Sequence, residues 1–265
     1  MNFLGQVWDW FLNGDHWTGK EGIPNLTRQH IEMTVSALLV AALLAIPIGL
    51  WLGHRQRGGF VAINVSNFGR ALPSYALLLF GVTYFGIGNP PTFLTTIGVN
   101  SIPVFIALVL LGIPPILTNT FVGMSGVDAD LRESARGMGM TGPQSLRKVE
   151  LPVAMPLIMA GIRTAAVAIV ATATLAALVD AGGLGRLIVD GQGEFDKPRL
   201  FAGALCVAVL ALIVEYGLAA VQRVVVPKGL REETATNSEI DGVLDASMVP
   251  DTQLTTTTPT GGKAP

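Results

Sequence analysis

The chain has 265 residues, half of them hydrophobic and only 14% charged, with a net charge of −2. Soluble domains carry nearer ~25% charged residues, and the near-neutral balance gives nothing that points to nucleic acid as a partner, so none is expected. The one cysteine, Cys206, permits neither an intrachain disulfide nor a cysteine-based metal site and reads as a small buried hydrophobe.

Residues 1–30 hold Asp9, Asp15 and Glu21 among Trp8, Trp10, Phe11 and Trp17. A cleavable signal places basic residues before a short apolar core. This stretch reads instead as an uncleaved lead-in whose tryptophans anchor at a membrane interface. Gly14-Asp15-His16-Trp17-Thr18-Gly19-Lys20 imitates a phosphate-binding loop, but Glu21 follows where Ser or Thr is needed and no strand precedes it. No cofactor or nucleotide is therefore expected on this chain.

Five apolar segments follow, at about 31–52, 60–85, 101–122, 156–179 and 200–225. Each approaches the ~20 residues that cross a bilayer as a helix, and hydrocarbon demands that every backbone polar group find an internal partner. The second begins with Asn64, Ser66, Asn67 and Arg70, so it reads either as one span or as a surface helix plus a shorter span. Pro47, Pro73, Pro103, Pro114 and Pro115 mark kinks or helix ends. The expected fold is all-α: a polytopic bundle of about five transmembrane helices in the cell (plasma or inner) membrane.

Charge sets the orientation. With the N-terminus outside and the C-terminus inside, the inner face receives Arg55, Arg57, Arg132, Arg136, Arg147, Lys148, Lys228 and Arg231. The outer face receives Lys20, Arg28, Arg186, Lys197 and Arg199. That agrees with the positive-inside bias. Three parts result: an extracytoplasmic segment 1–30, a membrane domain 31–228 with a cytoplasmic loop 123–155, and a tail 229–265. The tail is acidic and then Thr-rich, with few large apolar residues, and is expected to be disordered.

The loop carries the most specific pattern: Glu133-Ser134-Ala135-Arg136-Gly137-Met138-Gly139, then nine residues, then Val149-Glu150-Leu151-Pro152. Ser125, Asp128 or Asp130 suits a helix N-cap, Gly139 a left-handed stop, and Pro143 a second helix start, with Pro152 ending or bending that second helix. The product is a compact helical elbow. The pattern resembles the EAA loop of binding-protein-dependent ABC importer permeases, with Glu133, Ala135, Gly139, Leu151 and Pro152 in register and mild departures at Ser134 and Val149. The resemblance implies the fold of type I importer permeases and a coupling loop seated on a separate ATPase dimer that binds ATP and Mg. In that loop Arg132, Glu133 and Arg136 would be rim contacts, and Met138, Met140 and Leu146 apolar anchors.

Asp180-Ala181-Gly182-Gly183-Leu184-Gly185 resembles the glycine-rich segment of methionine and glycine-betaine permeases, which makes Gly182, Gly183 and Gly185 a candidate outer gate. The lead-in, His30-Ile31 and Met33-Thr34, Ile46 to Gly49, and the run from Asn64 to Pro73 are similar to the osmoprotectant branch. That similarity implies glycine betaine, choline, carnitine or proline betaine as cargo, moved by alternating access. It also implies a second permease chain, identical or not, and an extracytoplasmic substrate-binding protein. Methionine or another amino acid is the nearer alternative cargo. An ion-coupled carrier or channel is the alternative of another class, and it leaves the loop pattern unexplained.

Intramembrane charges are costly. Arg70, Arg163 and Glu215 are candidates, with Glu215 about 15 Å inside its span and Arg163 or Arg70 as its partner. His16, His30 and His54 form no metal-spaced set, and no nucleophile–base pair is visible, so no catalytic or metal site is expected.

Overall fold

The computed structural model describes residues 2–57, 59–60, 64, 74–85 and 101–226, and every described element is helical. In chain order they are α1 (Phe3–Leu12), α2 (Ile23–His54), α3 (Ser74–Phe85), α4 (Ile102–Ser125), α5 (Ala129–Gly137), α6 (Gly142–Ser145), α7 (Leu151–Thr172), α8 (Gly185–Gly193) and α9 (Lys197–Val225). A π-turn, Leu146–Glu150, joins α6 to α7, and a 3-10 turn, Ala173–Val179, extends α7.

Among the described residues four helical stretches are long and apolar enough to cross a membrane: Ile23–His54, Ile102–Ser125, Gly142–Val179 and Lys197–Val225. The expected segment at 60–85 is described mainly as α3; Arg70, Pro73 and the tail 229–265 lie outside the described residues. α2 begins eight residues before the apolar run read from the sequence, because Pro24 occupies its first turn after an extended Gly22. Its polar side chains bond back into the helix: Thr27 Oγ1 donates to the Ile23 carbonyl at 2.7 Å and Thr34 Oγ1 to that of His30 at 2.8 Å. Pro47, Pro114 and Pro115 sit inside helices, whereas Pro103 falls in the first turn of α4. Pro152 does not end the second elbow helix: it occupies the first turn of α7, and the chain runs on as a helix to Thr172.

α2, α4 and α7 pack on one another and enclose the main core. Ala37, Ala41 and Ala45 recur every fourth residue, which puts them on one face of α2, and all three are fully buried beside Leu108, Ile116 and Ile169. Membrane helices associate through small residues that let backbones approach. A Cβ on Gly53 would stand 2.4 Å from that of Met124, so α2 and α4 touch there without a side chain between them. α9 packs on α7 and α8 but leaves Leu212, Ile213, Tyr216 and Val224 exposed. α1 lies along α9, with Phe3 edge-on to Phe201 at 5.5 Å and Val7 and Trp10 buried, while Leu4, Trp8 and Leu12 stay exposed.

Candidate functional site

The elbow between α4 and α7 is built by local chemistry. The Asp128 carboxylate accepts the Asp130 N–H at 3.0 Å and caps α5. Gly139 then turns the chain at φ +79°, where a side chain is strained. Thr141 and Gln144 cap α6 reciprocally, the Thr141 N–H donating to Gln144 Oε1 at 2.8 Å. Of the motif residues, Glu133, Ser134, Arg136 and Gly139 are exposed, Ala135 is buried, and Leu151 and Pro152 are half-buried. Met138 is 70% exposed, which leaves it available to a partner surface. Leu146, expected as an anchor, turns inward onto Met124, Ala154 and Ile158. Arg132, expected at the rim, also turns inward: its side chain is only 12% exposed and bonds the Met124 carbonyl. An open cleft of about 780 Å³ lies beside α5, lined by Gln56, Ser125, Val127, Arg132, Glu133 and Arg136.

Behind the elbow sits Glu150, 1% exposed. A carboxylate offers only lone pairs, so its neighbours donate. His54 Nδ1 reaches both oxygens, at 3.0 and 2.9 Å, and Ser145 Oγ donates to Oε1 at 3.0 Å. Arg132 Nε forms an ion pair at 3.6 Å. The sequence reading missed this hub; its traces were a lone acid ahead of an apolar run and a histidine at the foot of the first span.

At the far end of α2, about 36 Å from His54 at 1.5 Å per residue, the glycine loop is fastened by Gln29 and His30. Gln29 Oε1 accepts the Gly183 N–H at 3.1 Å. Fully buried His30 donates from Nε2 to the Val170 carbonyl at 3.0 Å and accepts the Leu184 N–H on Nδ1 at 3.3 Å. Gly182 and Gly183 hold φ +83° and +81°, and a Cβ on Gly182 would stand 2.3 Å from Gln29 Oε1. Gly185 sits so close to the Thr174 carbonyl, 2.0 Å from its own virtual Cβ, that no side chain fits. Beyond the loop, Asp180 pairs with Arg186, and Arg199 binds Asp190 at 3.0 Å and Glu194 at 2.8 Å.

Arg163 of α7 meets Glu215 of α9 and donates to Gln222 Oε1 at 3.0 Å. The pair borders a groove of about 850 Å³ whose walls are largely small: Ala160, Thr164, Ala168, Ala171, Ala208 and Ala211.

A family model described as the binding-protein-dependent transport system inner membrane component matches residues 45–227. The chain belongs to that family. This permease is 37% identical over 205 residues to the glycine betaine/carnitine/choline transport system permease protein OpuCB of Bacillus subtilis, covering 77% of this chain and 89% of that protein. It is 34% identical over 209 residues to the osmoprotectant import permease protein OsmW of Salmonella typhimurium, covering 79% and 94%. A chain from inward-facing structures of the MetNI methionine ABC transporter superposes with a TM-score of 0.61 over 75% of this permease and 94% of that chain. With 18% identity, that likeness is one of fold. The permease is thus a multi-pass inner-membrane subunit of an ABC importer, not an enzyme, and its fold is the all-α fold of such importers.

Proposed function

We propose that this permease forms the pathway of an osmoprotectant importer, carrying quaternary ammonium compounds such as glycine betaine, choline, carnitine or proline betaine. The observation that carries the cargo class is the 34–38% identity, over most of both chains, to permeases named for glycine betaine, carnitine and choline, for carnitine, and for osmoprotectants. Residues 1–30 lie outside, the membrane domain spans 31–228, and 229–265 lie inside. This orientation is supported by exposed Arg136, Arg147 and Lys148 on the elbow, against the acid-paired Arg186 and Arg199 at the glycine-loop end.

In this reading two permease chains meet around the pathway, an extracytoplasmic binding protein delivers cargo, and an ATPase dimer receives the elbows. Glu133 and Arg136 supply rim contacts and Met138 an apolar anchor, while Ala135, Gly139, Leu151 and Pro152 shape the elbow. Gly182, Gly183 and Gly185 form the outer gate, and Arg163 with Glu215 holds α9 to α7. The test is uptake of labelled glycine betaine, choline and carnitine by cells expressing the permease with its own ATPase and binding protein. All uptake should vanish when the ATPase is omitted or made unable to hydrolyse ATP. Uptake of methionine and none of the three would overturn the cargo, and uptake without the ATPase would overturn the mechanism.

A further inference from the structure

A docked ATPase can move the membrane helices only if the elbow is fastened to them. Backbone continuity gives two joints: the residues between α4 and α5, and the π-turn into α7. Neither reaches α2, which packs on both α4 and α7. Near the elbow, the polar contact with the end of α2 runs through His54 and Glu150.

We infer that Glu150 is a positioning residue that locks the elbow to the ends of α2 and α4, so that a push on the elbow turns these helices together. The inference rests on the reading that the elbow docks an ATPase. The carboxylate takes Ser145 from the elbow, His54 from the last turn of α2, and Arg132 from α5. Arg132 in turn bonds the Met124 carbonyl in the last turn of α4. Three side chains therefore converge on one group that is 1% exposed, and through Arg132 a fourth segment, the end of α4, is tied to it. The elbow is shaped to admit the link: a Cβ on Gly142 would lie 3.7 Å from His54 Nε2, so the ring rests against a residue with no side chain. α2 and α4 already touch at Gly53 and Met124, one residue from His54 and at the carbonyl that Arg132 grips. The ionic link thus joins a junction that packing has made stiff. A side chain that merely filled space there would not need three polar partners from different helices; a strut would.

The loop resemblance leaves the position of Glu150, between the aliphatic residue and Leu-Pro, open to any residue. Its role here is therefore assigned by its contacts alone.

The test uses the permease assembled with its own ATPase and binding protein in proteoliposomes, fed whichever of glycine betaine, choline or carnitine the wild-type complex takes up. Three quantities are read at equal complex concentration: ATPase retained, ATP hydrolysed, and cargo moved per ATP. With Glu150→Ala the ATPase stays bound and hydrolysis continues, while cargo per ATP falls at least tenfold. Glu150→Gln, which keeps the shape and one acceptor oxygen, falls about threefold. Because the hub acts as a unit, His54→Ala combined with Glu150→Ala falls no further than Glu150→Ala alone. An unchanged ratio in Glu150→Ala overturns the inference, and so does equal loss of the ATPase from both Glu150 variants. If Glu150→Ala does not accumulate, the ratio in Glu150→Gln decides. Glu133→Lys separates this inference from the docking reading. If that variant sheds the ATPase while Glu150→Ala stays coupled, only the strut is wrong. If it keeps both ATPase and uptake, the docking itself is wrong.

Discussion

The two ends of α2 are fastened by opposite chemistry. At the elbow end a buried carboxylate draws in an imidazole, a hydroxyl and a guanidinium from different helices. At the glycine-loop end a buried imidazole and a carboxamide hold backbone groups: two N–H groups of the loop and one carbonyl of α7. The elbow hub joins side chain to side chain, so helices can tilt while the charges stay engaged. The loop latch binds backbone through directional bonds and fixes one tautomer of His30, with its proton on Nε2, leaving Nδ1 to accept. One end is suited to carry load, the other to be either made or broken.

That contrast predicts a ranking. The largest loss of stability belongs to Glu150→Ala, which takes the acceptor from buried Ser145 and half-buried His54 and the counter-charge from Arg132, and should cost about 3–5 kcal/mol. Denaturant titration of the purified chain in one detergent measures it. A loss no greater than that of a surface variant would erase the distinction between the two ends. His30→Ala comes next, since it removes the acceptor of the Leu184 N–H and the donor to the Val170 carbonyl, at about 1–3 kcal/mol in all. Hydrogen exchange at Leu184 should accelerate with it and stay slow in Glu150→Ala. Gly183→Ala should cost about 1–2 kcal/mol, because the left-handed backbone is unfavourable to any Cβ and this Cβ would stand 3.1 Å from His30 Nδ1. The smallest change is Gln29→Ala, about 1 kcal/mol for one hydrogen bond. Its readout is faster exchange at Gly183 with global unfolding barely moved; loss of transport coupling instead of local opening would put the latch in the load path.

Much of the architecture was legible because hydrocarbon solvent leaves few options: long charge-poor runs had to be helices, and four described stretches fall on those runs. The elbow was legible because caps and turns are local, as Asp128, Gly139 and Pro143 each act within a few residues. Helix starts were harder to read. α2 opens at Ile23 among Arg28, Gln29 and Glu32, where polarity hides the helix from hydropathy. The pairings that close the hub and the latch could not be read, since His54 and Glu150 stand 96 residues apart and His30 and Leu184 stand 154 apart. A single sequence gives no sign that His54 and Glu150, or His30 and Leu184, are neighbours. The inward turn of Arg132 and Leu146 was hidden for a related reason: an elbow exposes one side to water, but its pattern does not say which charged residue will instead reach back toward a buried acid.

The π-turn at Leu146–Glu150 bears on how the elbow is aimed. Leu151 donates its N–H to Leu146, five residues back rather than four, so this stretch holds one residue more than a regular helix would. Each residue of an α-helix advances the azimuth by about 100°. Winding this stretch as regular α-helix with every residue kept would therefore swivel what lies upstream by more than a quarter of a revolution about the α7 axis, with Glu133 and Met138 carried to a different compass bearing. The heading of the whole elbow is thus set by a single surplus residue, and a chain with an intact motif but a regular helix at this point would present it in the wrong direction.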